Sequence, residues 1–208
     1  MRTLKIAATF WMAAGAVCYG GASNRLEVVV FNWAGAPHSA VAKAAAEARR
    51  AFAAAGVETD WTACGGLPNS NQACALPPAG TYIQIRIVPE TPEGRLLPWA
   101  ALGYAAGCPP ARGCDLSWVL YRRVLAYCRQ DNQPVHVLLA YVMAHEIGHL
   151  MGMAHSWRGV MKGKVNWHDL LDAHRGALRF SGYDAKRLRT AVALWTAATA
   201  PLAVAKAK

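Results

Sequence analysis

From Val135 to Leu150 the chain places Leu138, Leu139, Val142, Met143 and Ile147 so that a helix through them is apolar almost all round, and such a helix must be buried in a core. Into this segment the sequence sets His145, Glu146 and His149. Two His four residues apart stand one helical turn apart on one face, so both imidazoles can reach one metal ion. Glu146 lies beside them, placed to act on a water that such an ion activates. Gly152, three residues past His149, can take the left-handed conformation that ends a helix, and the chain can then turn back to deliver His155 as a third nitrogen ligand. Three protein ligands leave one tetrahedral position open, as catalysis requires. A tetrahedral site of three neutral imidazoles and a water favours Zn2+ over other metals. His136 is half a helical turn out of phase with His145 and is not a ligand from this helix.

A chain of this composition would show such a constellation by chance roughly 2 times in 10⁵, so coincidence is a poor account of it. The stretch from His145 to His155 has the pattern H-E-x-x-H-x-x-G-x-x-H, and in it the chain resembles the metzincin zinc metallopeptidases. That resemblance implies a metalloendopeptidase in which His145, His149 and His155 hold zinc and Glu146 is the general base for hydrolysis of a peptide or protein substrate. It also makes Gly159-Val160-Met161 similar to the Met-turn, with Met161 beneath the ligands. Astacins and serralysins carry a Tyr two residues beyond that Met, where this chain has Gly163, so no Tyr donor is expected from the turn. By the same resemblance Tyr141, Val142 and the segment after Met161 wall the pocket for the side chain following the cut. The stretch from Ala100 to Ala105, with Gly103 and Tyr104, would be the antiparallel edge strand that pairs with extended substrate. Within the clan the chain is similar to small bacterial secreted matrixin-like or archaemetzincin-like proteins, without the four-Cys zinc motif of the latter.

Other readings stay open. Other enzymes with two His four apart recruit a later Glu, but no Glu follows Glu146; Asp169 or Asp172 could serve in principle. Cys64, in Cys64-Gly65-Gly66-Leu67-Pro68-Asn69, could act as a thiolate plug on the metal, as the propeptide cysteine of matrixins does. A catalytically inactive secreted zinc-binding module of the same fold is the alternative from another class.

The rest of the chain supplies a scaffold. Leu26 to Asn32 is β-branched and nearly continuous in apolarity, which suits a strand covered on both faces. Val41, Ala45, Ala48, Phe52 and Ala55 then repeat at helical spacing up to Gly56, and Val57 to Thr62 reads as a second strand, making a right-handed β-α-β unit. Thr81 to Val88 alternates, with Ile83, Ile85 and Ile87 on one face and Tyr82, Gln84 and Arg86 on the other. Asp115 to Tyr121 is a last strand and Arg122 to Arg129 a helix, after which Asp131 and Asn132 can cap and Pro134 suits a first turn. Trp167 to Leu178 and Ser181 to Thr196 read as helices, the latter opened by a capping box from Ser181 to Asp184 and matching the long C-terminal helix of the clan. His168 and His174 fall on different faces and read as surface residues. The fold class is therefore α+β with an α/β-like start: a twisted mixed sheet of about five strands, an active-site helix and a C-terminal helix.

At 208 residues the chain suits one domain, residues 23–208 with a loose tail, after a signal peptide over residues 1–22 in which Arg2 and Lys5 precede a charge-free run. A secreted or periplasmic location follows, with lipid anchoring at Cys18 a lesser option. Neither the leader nor the stretch from Thr190 to Ala205, diluted by Ala, Thr and Pro201, suits stable membrane insertion of the mature chain. The net charge of +10 is scattered without a nucleic-acid motif, so no nucleic-acid partner is expected, and the chain is expected to be a monomer. Export also permits disulfides. Cys64 with Cys74 and Cys108 with Cys114 each close a short loop, which leaves Cys128 over.

Overall fold

A computed structural model describes residues 24–65, 74–91, 97–98, 100–106, 115–130 and 132–205. The opening is a β-α-β unit: β1 (Arg25–Asn32), α1 (His38–Ala54) and β2 (Glu58–Gly65), with β1 and β2 parallel from Arg25 opposite Glu58 to Asn32 opposite Gly65. The buried side of α1 is Val41, Ala44, Ala48, Ala51 and Phe52, and its small residues let the helix lie close to its neighbours. β3 (Tyr82–Val88) pairs parallel with the other side of β1, and β5 (Leu116–Leu120) parallel with β3. β4 (Gly103–Ala105) closes the sheet antiparallel to β5, giving the order β2-β1-β3-β5-β4. This is the expected mixed sheet of five strands with one antiparallel edge.

The helices that matter to the site share one core with the sheet. Val28, Val30, Ile83, Ile85, Ile87 and Val119 belong to the same buried cluster as α1, α2 (Tyr121–Gln130) and α3 (Val135–Leu150). Every residue of α3 from Val137 to Gly148 is buried, as its all-round apolarity requires. The opposite face of the sheet carries two smaller clusters, one of Val29, Cys64 and Tyr82 and one of Val88, Tyr104 and Leu120. There the Arg86 guanidinium sits 4.8 Å from the Trp33 ring and 6.0 Å from that of Trp118, so the alternation in β3 does separate an aliphatic face from a more polar one. α4 (Trp167–Asp172) and α5 (Gly182–Ala205) follow the site.

Several expectations need correction. The edge strand covers Gly103–Ala105 only, because Ala101 is taken up in a turn with Pro98. α3 begins directly after Pro134, which occupies the cap position without a side-chain hydrogen bond, while Asn132 turns the chain at φ 48. The helix begun at Trp167 does not run evenly to Leu178: after Asp172 it loosens into a wider turn, Ala173–Ala177, in which Gly176 takes φ 79. α4 is opened by a capping box that the sequence reading missed, Asn166 Oδ1 accepting from the Asp169 N–H and Asp169 Oδ2 from the Asn166 N–H. α5 continues past Thr196 and through Pro201 to Ala205. Cys64 and Cys74 are joined as expected, with Cα atoms 5.6 Å apart, and Cys128 is a buried thiol. The proposed Cys108–Cys114 pair, the leader with Cys18, and Asp131 lie outside the described residues.

Candidate metal centre

α3 ends where the sequence says it must. Met151 is its C-cap; the Gly152 N–H donates to the His149 carbonyl at 2.9 Å and the Met153 N–H to the Gly148 carbonyl at 3.0 Å, the paired bonds that close a helix around a left-handed residue. Gly152 takes φ 73, and a side chain there would meet nothing within 4 Å, so its requirement for glycine is conformational and not spatial. The turn sends the chain back across the end of α3 and brings His155 beside the two helical His.

The three imidazoles converge. His149 Nε2 lies 3.0 Å from His145 Nε2 and 3.2 Å from His155 Nε2, and the candidate ligand atoms of all three lie within 4.8 Å of one another. Nitrogens held tetrahedrally at 2.0–2.1 Å from one zinc ion stand about 3.3 Å apart, so the observed spacing fits a shared cation. The far side of two rings is braced. His145 Nδ1 is 2.7 Å from the Val160 carbonyl and His149 Nδ1 is 2.8 Å from the Met153 carbonyl; an oxygen there fixes the proton on Nδ1 and leaves the Nε2 lone pairs pointing inward. Burial holds the His145 pKa down to about 4, against a rise from the Val160 carbonyl, with the neighbouring His149 and His155 lowering it further. Burial also lowers that of His149. Both rings are thus neutral at pH 7, as ligands must be.

Glu146 shares this pocket. It is 4 % exposed, its Oε2 has no hydrogen-bond partner among the described residues, and burial raises its pKa to about 8. A buried carboxyl with a partnerless oxygen beside three inward-facing nitrogens is costly unless a cation or water completes it, which is what the donor set suits. Facing it is Gly103 of the edge strand: a Cβ there would stand 2.8 Å from Glu146 Oε1 and 2.9 Å from Val142 Cγ1, so glycine is needed for β4 to lie this close to α3. Tyr104, expected in the same pocket, is among the residues lining the cleft. Its ring stacks on that of Trp118 at 4.6 Å between centroids and packs with Val88 and Leu120.

The cleft has a volume of about 1460 Å³ and runs past Gly103, Val142, the three His and Val165 to Leu194 of α5. Tyr141 and Tyr127 fix its far wall, their hydroxyls donating to the carbonyls of Lys162 at 2.6 Å and Val165 at 2.8 Å. Met161 is fully buried, beneath α3. A Cβ at Gly148 would collide with its Sδ and stand 3.0 Å from Met153 Cε. Gly148 was not singled out from the sequence, and Gly163 was noted only for the Tyr it lacks. A glycine in the middle of a buried helix costs about 1 kcal/mol against alanine, which was the available signal that something packs there. At Gly163 a Cβ would lie 2.9 Å from His155 Nδ1, so this glycine is flush against the third imidazole.

Other candidates fall away. Cys64 is committed to its disulfide on β2, the strand at the opposite edge of the sheet from β4, and offers no thiolate to the metal. Asp169 is held by Lys162 Nζ and the Asn166 N–H, and the three His are the sole group of this kind among the described residues. His168 and His174 are exposed, and His136 stands at the opposite end of α3 from the site. Among the described residues no helix is long and apolar enough to cross a membrane.

No family model matches the chain, and no curated protein does. Among solved structures it is similar to a zinc-dependent peptidase from Methanocorpusculum labreanum, with a TM-score of 0.53 over 77 % of this chain and 99 % of that one. The two are 17 % identical, so the likeness is one of fold.

Proposed function

We propose that the chain is a secreted zinc-dependent endopeptidase of the metzincin type, with His145, His149 and His155 as the metal ligands and Glu146 as the general base. The observation that carries this reading is the convergence of three Nε2 atoms at 3.0 and 3.2 Å beside a buried carboxyl with a partnerless oxygen. The fold shared with a zinc-dependent peptidase supports it, and the Cys64–Cys74 disulfide fits export to an oxidising compartment. Zinc held by the three His would polarise a carbonyl and bring the pKa of a water toward ~7. Glu146 then takes the proton from the attacking water and returns one to the leaving amine, for which its position at the wall of the cleft suits it. β4 ends the sheet, so its outer edge offers backbone groups to an extended peptide, and the wall pinned by Tyr141 and Tyr127 bounds the space for the side chain beyond the cut.

The test is hydrolysis of casein or a quenched peptide library by wild type and Glu146→Ala, with metal content measured in both. The expected result is full zinc occupancy in both and no hydrolysis by the variant. Hydrolysis at the wild-type rate in Glu146→Ala would overturn the assignment of the base.

A further inference from the structure

The third ligand is the one the helix does not hold. His145 and His149 ride on α3 with carbonyl oxygens at their Nδ1 atoms, whereas among the described residues no hydrogen bond reaches His155 Nδ1. What fixes this exposed ring must therefore act through its neighbours. Ser156, next in the chain, is tied at both ends: its N–H donates to the Met161 carbonyl at 2.8 Å, and its Oγ lies 2.9 Å from Asp184 Oδ2 and 2.8 Å from the Arg158 carbonyl. Asp184 is 2 % exposed. Its Oδ2 also accepts from Ser181 Oγ at 2.6 Å, while Ser181 Oγ caps the Asp184 N–H at 3.1 Å. That cap needs only the backbone of residue 184. Burying a carboxylate is costly, and the Ser156 hydroxyl gives this one a partner from the ligand loop itself. The same stretch grips that loop a second time, since the Val160 N–H donates to the Arg179 carbonyl at 2.9 Å and Val160 is the residue whose own carbonyl orients His145.

We propose that Asp184 is a positioning residue for the metal site: through Ser156 Oγ it holds the backbone that carries His155 within bonding reach of a cation shared with His145 and His149. The inference rests on the zinc site proposed above. The experiment is zinc affinity by chelator competition, alongside the melting temperature of the metal-free protein, for wild type, Ser156→Ala, Ser156→Thr and Ser181→Ala. Ser156→Ala removes the tie and leaves the helix cap, so zinc affinity should fall about 10-fold, as when a partner of a metal ligand is lost, with metal-free melting lowered less than in Ser181→Ala. Ser156→Thr keeps the hydroxyl and should restore wild-type affinity. Ser181→Ala removes the cap and should lower the melting temperature more than it lowers affinity. Wild-type affinity in Ser156→Ala overturns the positioning role while leaving the zinc site standing, and so does an equal loss of affinity in Ser181→Ala or no rescue by Ser156→Thr. Failure of the wild-type chain to bind zinc at all overturns both.

Discussion

α3 and the segment from Met151 to Gly163 each supply part of the candidate metal site, and they do so by opposite means. α3 is regular and buried, and it places His145 and His149 by periodicity alone. The following segment is irregular, exposes His155 and leaves Trp157 78 % exposed, yet it must place one nitrogen as accurately. It does this with left-handed glycines at 152 and 159, a single bridge between Ser156 and Lys162, and hydrogen bonds to residues far along the chain. Packing therefore secures two of the proposed ligands and tertiary polar contacts secure the third. Damage to α3 should cost the fold, and damage to the loop should cost the metal.

The sharpest way to break that contrast is to remove one ligand from each region. His145→Ala strands the buried Val160 carbonyl, so it should destabilise the metal-free protein by about 1–3 kcal/mol and also abolish tight zinc binding. His155→Ala should weaken zinc by more than ~100-fold, while metal-free stability, read by denaturant unfolding, moves by no more than about 0.5 kcal/mol. Equal losses of stability would erase the distinction.

A pH series tests the buried region alone. The Glu146 pKa is raised in the folded state, from an ordinary carboxylate value to about 8, so between those values the folded chain binds more protons there than the unfolded one. That contribution to stability is present at low pH and is lost as pH rises toward 8. His145 acts in the opposite sense, its pKa being lowered to about 4, and offsets Glu146 up to about pH 6.5. Metal-free protein should therefore lose on the order of 2 kcal/mol between pH 6.5 and 8, and Glu146→Gln should abolish that decline. A decline that persists in Glu146→Gln would place its origin elsewhere.

Smaller effects sharpen the loop side. Gly152→Val forces a β-branched residue to φ 73 and should cost about 1–2 kcal/mol together with some zinc affinity, although nothing stands in the way of the new side chain. Gly163→Ala should push the His155 ring aside and weaken zinc about 10-fold with the fold intact. His174→Ala, exposed and remote, should change neither quantity; a matching loss there would mean that the assay reads general instability.

The same contrast explains what the sequence revealed. His145, Glu146, His149 and Gly152 were legible because one helical turn and one helix-ending glycine are local devices, and the alternation of Ile83, Ile85 and Ile87 gave β3 its faces for the same reason. The five-strand sheet followed from such signals and from the clan resemblance together. Gly148 beneath Met161, Gly163 against His155, and Ser156 on Asp184 were not legible. Each joins residues brought together only by the fold, and no period marks them.

The most direct measurement is metal content by mass spectrometry on the purified chain, with peptide hydrolysis followed before chelation, after it, and after zinc is restored. The account predicts one zinc per chain and hydrolysis that stops on chelation and returns with the metal. Hydrolysis that survives complete removal of the metal, or a folded chain that takes up no zinc, would contradict it.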